Sequence, residues 1–83
     1  MYEEKHREWF NNYLYFIARC YPNVFMNLLE RYIFDKKDHT IMIERYINHK
    51  TIDEISSIVF LESRQVNKRK QKVLDTLLNV RLS

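Results

Sequence analysis

The sequence predicts an all-α fold of about five helices, on the basis of composition and periodicity. The 83 residues include no glycine and one proline, whereas β-hairpins usually draw on glycine for their turns. Apolar residues recur at spacings of three and four along the chain, which is the helical period. Apolar residues make up 46% of the chain, too many for disorder, and a chain this short forms one core. We therefore expect residues 1–83 to form a single domain.

Two helices are predicted in the N-terminal part, over residues 2–19 and 22–34. In the first helix, Trp9, Tyr13, Phe16 and Ile17 share one face. Pro22 separates the two helices, because the residue before a proline avoids the α region and proline fits the first turn of a helix. The apolar stripe of the second helix consists of Val24, Phe25, Leu28, Leu29, Tyr32 and Ile33.

The third and fourth helices are predicted over residues 38–48 and 51–59, followed by a turn at 60–63. Asp38 is the expected N-cap of the third helix. Thr51 and Glu54 form the T-x-x-E pattern of a capping box at the start of the fourth. The expected buried residues of the two helices are Ile41, Ile43, Tyr46, Ile47, Ile55, Ile58 and Val59.

The fifth helix, predicted over residues 64–79, combines an apolar face with a basic one. Its inner face consists of Val66, Val73, Leu74 and Leu77. At about 100° per residue, the opposite face contains Arg64, Lys68, Gln71 and Asp75, flanked by Gln65, Asn67 and Lys72. Residues 62–83 hold six Lys/Arg and two acids, while residues 1–61 hold eight Lys/Arg and nine acids. The net charge of +3 therefore comes from the C-terminal end.

A helix face that mixes long cations with amides suits contact with DNA. Arginine makes bidentate contacts with guanine, glutamine and asparagine do so with adenine, and lysine contacts guanine or phosphate. A helix built only for solubility more often alternates glutamate with lysine. The composition favours a DNA contact, with a merely solvated basic face as the alternative.

The segment from Thr51 to Leu77 has an ordered pattern of T-x-x-E-I, two further apolar positions, a turn, a valine and paired apolar residues on a basic helix. The pattern is formed by Thr51, Glu54, Ile55, Ser56, Ile58, Val59, Leu61, Val66, Val73, Leu74 and Leu77. It resembles the helix-turn-helix of bacterial sigma factor region four and of related response regulators and phage regulators. With the preceding helix, the resemblance covers residues 38–79. It implies that the last three helices form a trihelical helix-turn-helix with a C-terminal basic recognition helix.

The resemblance implies a small phage or mobile-element transcription regulator that binds double-stranded DNA sequence-specifically through residues 64–79. It also implies that residues 63–72 approach DNA and that Lys50 and Thr51 touch phosphate. Arg64, Gln65 and Lys68 are the expected contacts to base edges. The full set of expected DNA-binding residues is Lys50, Thr51, Ser63, Arg64, Gln65, Asn67, Lys68, Arg69, Gln71 and Lys72.

Three positions depart from the family pattern. Phe60 stands in the turn where the family usually has glycine, and a positive φ is unfavourable for phenylalanine. Glu62 replaces a capping serine or threonine, so we expect the cap to move to Ser63. Lys70 occupies a slot that is often apolar, where its stem can lie along the core with the amine in solvent. These departures keep open a helix-turn-helix that binds protein, modulating RNA polymerase or inhibiting a nucleic-acid enzyme.

The first helix is apolar or aromatic around most of its circumference, which is more than one core-facing stripe needs. Two interpretations are open. In one, the helix is central and wrapped by the other four. In the other, residues 1–34 form a homodimer interface through Trp9, Phe10, Tyr13 and Phe16. A homodimer suits a DNA reader, because two recognition helices about one DNA turn apart roughly add their contacts.

Enzymatic, cofactor and metal functions are not expected. His6, His39 and His49 are scattered, and Cys20 is the only cysteine, so neither a metal site nor an internal disulfide is predicted; Cys20 is expected to be buried. Without glycine there is no P-loop or Rossmann fingerprint. No apolar run approaches the roughly 20 residues that span a bilayer, and the first residues are too polar for a signal peptide. We expect a cytoplasmic protein with no membrane contact.

Overall fold

The computed structural model describes residues 4–82, with side chains described for residues 7–80. Five α-helices follow one another along this range: α1 (Glu4–Cys20), α2 (Pro22–Tyr32), α3 (Lys36–Tyr46), α4 (Ile52–Val59) and α5 (Ser63–Leu82). No strand occurs among the described residues. The prediction of an all-α fold with five helices is confirmed.

The junction between α1 and α2 lies at the predicted proline. Pro22 is the first residue of α2, where its missing N–H and fixed φ are no disadvantage. The helix ends at Tyr32, two residues earlier than predicted, because Ile33 leaves the helix with an extended backbone (φ −118°, ψ 120°). That change of direction turns Ile33 into the core.

The N-cap of α3 is Asp35, three residues before the predicted Asp38. The carboxylate of Asp35 accepts hydrogen bonds from the backbone N–H groups of Lys37 (2.8 Å) and Asp38 (3.2 Å). The start of a helix leaves such N–H groups unpaired, and an N-cap carboxylate satisfies them. The hydrogen bond from the Asp38 backbone is also the main cause that holds the pKa of Asp35 below its ordinary value.

The capping box at the start of α4 is confirmed. Thr51 Oγ1 accepts a hydrogen bond from the Glu54 N–H at 3.2 Å, and the Glu54 carboxylate accepts one from the Thr51 N–H at 2.9 Å. At its other end α4 stops at Phe60, which adopts the left-handed conformation (φ 59°, ψ 43°). Phe60 thus takes the backbone geometry for which helix ends usually use glycine.

The larger of two buried clusters lies where α1, α2, α3 and α5 meet. It consists of Phe10, Leu14, Ile17, Ala18, Phe25, Leu29, Ile33, Met42, Tyr46, Val73, Leu74, Leu77 and Leu78. The ring of Tyr46 is central, with centroids 5.7 Å from Phe25 and 4.3 Å from Tyr15. Its hydroxyl donates to the side-chain oxygen of Asn11, so this buried polar group has a partner. Burial raises the pKa of Tyr46 far above its ordinary value.

The smaller cluster joins α3, α4 and α5. It consists of Ile41, Ile55, Val59 and Val66, with Ile52 and Leu61 packed against its edge. The three helices contact one another, and α4 has its main contacts with α3 and α5. The smaller cluster therefore holds α4 and the N-terminal half of α5 to the rest of the chain.

Three predictions of burial are wrong. Phe10, expected at a dimer interface, is only 3% exposed and belongs to the larger cluster. Ile58 was expected to face inward, yet it is 38% exposed on the outer side of α4. Cys20 is exposed at the end of α1. Periodicity placed Phe10 and Ile58 on apolar arcs of their helices, but it could not tell which part of each arc the neighbouring helices cover; the burial of Cys20 was expected from its residue type.

Candidate nucleic-acid interface on α5

The N-terminal end of α5 is held by hydrogen bonds to the turn and to α4. The side-chain oxygen of Gln65 accepts a hydrogen bond from the backbone N–H of Glu62 at 3.1 Å. Ser63 was expected to cap the helix; instead it is the first helical residue, and its hydroxyl donates to Asp53 Oδ1 on α4 at 2.5 Å. Of these two predicted DNA contacts, Ser63 therefore also links α5 to α4, while Gln65 closes the first turn of α5.

The first three turns of α5 expose the predicted basic residues to solvent. Arg64, Asn67, Lys68 and Lys72 are exposed, as is Gln65. Among residues 7–80, ion pairs join Arg7, Lys50 and Arg69 to acids, but none involves Arg64, Lys68 or Lys72. These three cations lie four residues apart on one face of the helix and keep their charge unneutralised by a neighbour; we call them the basic triad.

The same face is not exposed along its whole length, and this corrects the predicted outward direction of Gln71 and Asp75. Helix α1 packs over this part of α5. Arg7 of α1 donates two hydrogen bonds to the Asp75 carboxylate, at 2.9 and 3.0 Å. The side-chain oxygen of Gln71 is buried and has no hydrogen-bond partner among the described residues. The open part of the face therefore ends near Lys72.

Arg69 lies off the open face and connects α5 to the start of α3. Its guanidinium is 3.1 Å from Asp38 and 3.3 Å from Asp35, the residue that caps α3. Arg69 reaches a DNA phosphate only if these ion pairs break. The structure thus gives Arg69, a predicted DNA contact, a role in holding α3 and α5 together.

The predicted phosphate contacts Lys50 and Thr51 lie at the start of α4. Thr51 is exposed, although its hydroxyl already serves the capping box. The ammonium of Lys50 lies 3.9 Å from the Glu44 carboxylate, a long and partly exposed pair. Such pairs contribute little to stability, so Lys50 can exchange this partner for a phosphate at small cost.

A second pair of cations, Arg45 and Lys70, lies between α3 and α5. Lys70 is half-buried; burial lowers its pKa, and the positive charge of Arg45 lowers it further. Arg45 donates to the Lys50 carbonyl at 2.9 Å, while its Nε is buried with no partner among the described residues. Sequence reasoning missed Arg45, because a single basic residue in the last turn of a helix is ordinary.

The aromatic residues predicted at a dimer interface divide between core and surface. Trp9 and Phe16 are 55% and 54% exposed, and Tyr13 is half-buried, with its ring stacked on Trp9 at 5.5 Å. Phe10 faces the opposite way, into the larger cluster. Helix α1 is therefore covered on one side by α2, α3 and α5, and its other side is exposed to solvent.

No family model, curated protein or solved structure matches this chain. Within the described residues, no three histidine, cysteine or acidic side chains come together as ligands for a metal ion. None of the described helices has the length and apolarity required to cross a membrane.

Proposed function

We propose that this chain is a small transcription regulator that binds double-stranded DNA sequence-specifically through the first three turns of α5. In this proposal α3, α4 and α5 form the trihelical helix-turn-helix that the sequence resembles, and α5 enters the major groove. The observation that carries the proposal is the basic triad, three exposed and unpaired cations on one face of one helix.

The basic triad is unfavourable for the isolated chain. Like charges four residues apart on a helix destabilise it by about 0.2 to 0.5 kcal/mol per pair. Other cations of the chain do have an acidic partner, as Arg7 has in Asp75 and Arg69 in Asp38. An arrangement that costs stability and has no acidic partner among residues 7–80 is explained by an external anion. A DNA backbone, with one charge per about 1.7 Å of helix axis, supplies such anions in excess of the triad's three charges.

The position of the exposed residues also supports groove contact. In helix-turn-helix proteins the N-terminal residues of the recognition helix contact base edges. Here the open face covers that end of α5, and Gln65 and Asn67 lie on either side of the basic triad. Arginine and lysine suit guanine, and the two amides suit adenine, so this end of α5 offers donors and acceptors for more than one base.

The first experiment selects bound duplexes from a random DNA pool at about 150 mM salt, where non-specific binding is weak. The full chain is compared with Arg64→Ala/Lys68→Ala and with a charge-matched control, Arg31→Ala/Lys36→Ala, whose residues are exposed and lie outside α5. We expect one enriched motif for the wild type and the control, and none for the α5 variant. Flat enrichment for the wild type, or equal enrichment for all three, contradicts the proposal.

Single substitutions then separate base contacts from phosphate contacts. Arg64→Ala should cost about 1 to 3 kcal/mol on the selected site and much less on unrelated DNA. Lys72→Ala should weaken binding on all sequences and reduce the slope of log K against log salt by about 1. Equal loss for Arg64→Ala on every sequence would show that Arg64 contacts only the backbone. An unchanged salt slope would place Lys72 outside the interface.

A protein-binding module that modulates RNA polymerase or inhibits a nucleic-acid enzyme is the second candidate, and Phe60 favours it. This side chain is 87% exposed, in the turn that precedes the basic helix. A large aromatic group in solvent beside a cationic face suits a protein partner with acidic and apolar groups. Retention of RNA polymerase by the wild type, lost in Phe60→Ala and combined with flat DNA enrichment, would favour this candidate.

A further inference from the structure

The open side of α1 carries four residues in a line, Trp9, Tyr13, Phe16 and Cys20, which we call the aromatic stripe. Their spacings of four, three and four place them within an arc of about 60° at 100° per residue. Trp9, Phe16 and Cys20 are exposed, and Tyr13 is half-buried. Tyr21 continues the stripe beyond the end of α1, with its ring edge-on to Phe16 at 6.3 Å. Contiguous exposed apolar groups of this kind mark interaction surfaces.

We infer that the aromatic stripe binds the same stripe on a second copy of this chain, with the two α1 helices antiparallel. The intervals between the four residues of the stripe are four, three and four, so their order is the same when counted from either end of α1. In an antiparallel pair, Trp9 therefore lies opposite Cys20 of the second copy, and Tyr13 lies opposite Phe16. The largest side chain of the stripe meets the smallest at both ends, which favours close packing of the two helices.

The charges beside the stripe select the antiparallel orientation over the parallel one. Glu8 and Arg19 are both exposed on one flank of the stripe, near its opposite ends. In an antiparallel pair each Glu8 comes near Arg19 of the other copy. A parallel pair places this flank of the two copies on opposite sides of the interface, so Glu8 cannot meet Arg19, and it stacks Trp9 on Trp9. The dipoles of the two helices also oppose one another in the antiparallel pair.

The exposed area is sufficient for a small interface. An aromatic side chain offers about 150 to 250 Å². Trp9, Phe16 and Tyr21 are each slightly more than half exposed, so together they leave roughly 300 Å² per copy. Tyr13, Cys20 and the aliphatic parts of the flanking side chains add to this area. The total area buried by two copies then approaches the lower limit of about 1,000 Å² for a specific interface. The dimer should therefore dissociate on dilution.

This inference stands apart from DNA binding, because it depends on α1 and not on α5. If selection from a DNA pool fails, the aromatic stripe is unaffected; if the dimer fails, a monomer can still bind a half-site. A palindromic DNA motif would agree with both proposals, but the test of the dimer needs no DNA.

The deciding experiment introduces a thiol opposite the natural one. In Trp9→Cys, the new thiol should form a disulfide with Cys20 of the second copy when oxidised glutathione is added and reduced in exchange. Within one chain the two positions are eleven residues apart on a helix, about 16 Å, which is too far for a disulfide. We expect a covalent dimer on a non-reducing gel, with the linked peptides identified by mass spectrometry.

Two controls fix the orientation. The wild type should give no covalent dimer under the same conditions, because an antiparallel pair keeps the two Cys20 thiols about 16 Å apart along the helices. Ser57→Cys, exposed on α4 and away from the stripe, should give none either. A strong Cys20–Cys20 dimer of the wild type would overturn the antiparallel pairing. Equal crosslinking of Ser57→Cys would show random collision.

A second measurement keeps the stripe intact. Trp9 is the only tryptophan, so its emission should shift to longer wavelength as wild-type dimers dissociate on dilution. Sedimentation of the wild type should show dimers at high concentration, and Phe16→Glu should sediment as a monomer while keeping its helical circular dichroism. A wild type that sediments as a monomer at every concentration, with constant emission, would overturn the inference.

Discussion

The larger buried cluster and the smaller one differ in the helices that they secure. The larger cluster unites α1, α2, the end of α3 and the C-terminal half of α5, and it is rich in aromatic side chains. The smaller one has only four aliphatic residues, yet it holds α4 and the start of α5. The proposed DNA-binding face thus lies at the less buried end of the molecule.

This difference teaches how stability is distributed. Burial of apolar area supplies most of the stabilisation, so the larger cluster should control global unfolding. The region around α4 depends more on local hydrogen bonds: the Thr51–Glu54 capping box and the Ser63–Asp53 bond. Regions with few buried contacts open at lower free energy than the whole molecule. Five substitutions or conditions test this comparison, from the largest expected effect to the smallest.

Phe25→Ala should have the largest effect. The side chain is fully buried against Tyr46 in the larger cluster, and deletion of a buried phenylalanine costs about 3 to 5 kcal/mol. Urea unfolding followed by circular dichroism should show all helices melting together at lower urea. Val24→Ala, on the exposed side of the same helix, should change the free energy of unfolding by less than about 0.5 kcal/mol. Similar losses for the two variants would contradict the assignment of the core.

Ile55→Ala should act locally. Ile55 is fully buried in the smaller cluster, and its truncation costs about 2 to 5 kcal/mol. Hydrogen exchange should lose protection first in α4 and in the first turns of α5, while α1 keeps its protection. If protection falls equally in α1 and α4, the two clusters unfold as one unit and the comparison fails.

Thr51→Ala should cost about 1 kcal/mol, because it removes the hydroxyl that accepts the Glu54 N–H. The loss should appear mainly as faster exchange of the first amides of α4. Thr51→Ser keeps the hydroxyl and should retain most of the stability. If serine and alanine behave alike, the capping box does not hold this end of α4.

Phe60→Gly should stabilise the chain by about 0.5 to 1 kcal/mol. Phe60 holds a φ of 59°, which penalises residues with a Cβ atom and does not penalise glycine. Phe60→Ala keeps that penalty while removing the exposed ring, so it should give no such gain. A gain for alanine equal to that for glycine would mean that the ring, and not the backbone, is unfavourable. Thermal melts of the three proteins decide this.

Acid should weaken the helix starts of α3 and α4. The pKa values of Asp35 and Glu54 are lowered in the folded chain, mainly by the backbone N–H groups of Asp38 and Thr51 respectively. The folded chain therefore holds fewer protons than the unfolded one, and the stabilisation present above the ordinary values of 3.8 and 4.5 is lost as the pH falls through the folded pKa values. Asp35→Asn/Glu54→Gln should flatten the dependence of melting temperature on pH in this range. An unchanged slope would assign the acid sensitivity to other carboxylates.

Features that depend on neighbours in sequence were predictable. The capping box needs only Thr51 and Glu54, and the inner face of α5 follows from the 3.6-residue period. The helix starts were less certain where two caps compete: Asp35 and Asp38 flank two lysines, and either carboxylate could cap the helix. Only the packed structure shows that Asp35 caps the helix while both carboxylates pair with Arg69.

Features that depend on distant helices were not predictable. Helix α1 is apolar on nearly every side, so periodicity could not tell that Phe10 is buried and Trp9 exposed. The cover over Asp75 comes from Arg7, 68 residues away in the chain. For the candidate site, the sequence indicated the composition of the basic face, and the three-dimensional packing determined how far along α5 that face stays open.

The continuity of α5 has a mechanical consequence. This helix has 20 residues, a rod of about 30 Å, and it passes from the smaller cluster into the larger without a break. The bidentate bond between Arg7 and Asp75 clamps α1 to the rod near its middle. The end of α5 that carries Arg64 and Lys68 is therefore joined rigidly to the part of the helix that contacts α1. The orientation of that end is thus set by the packing of α1 against α5 in the larger cluster, far from the end itself.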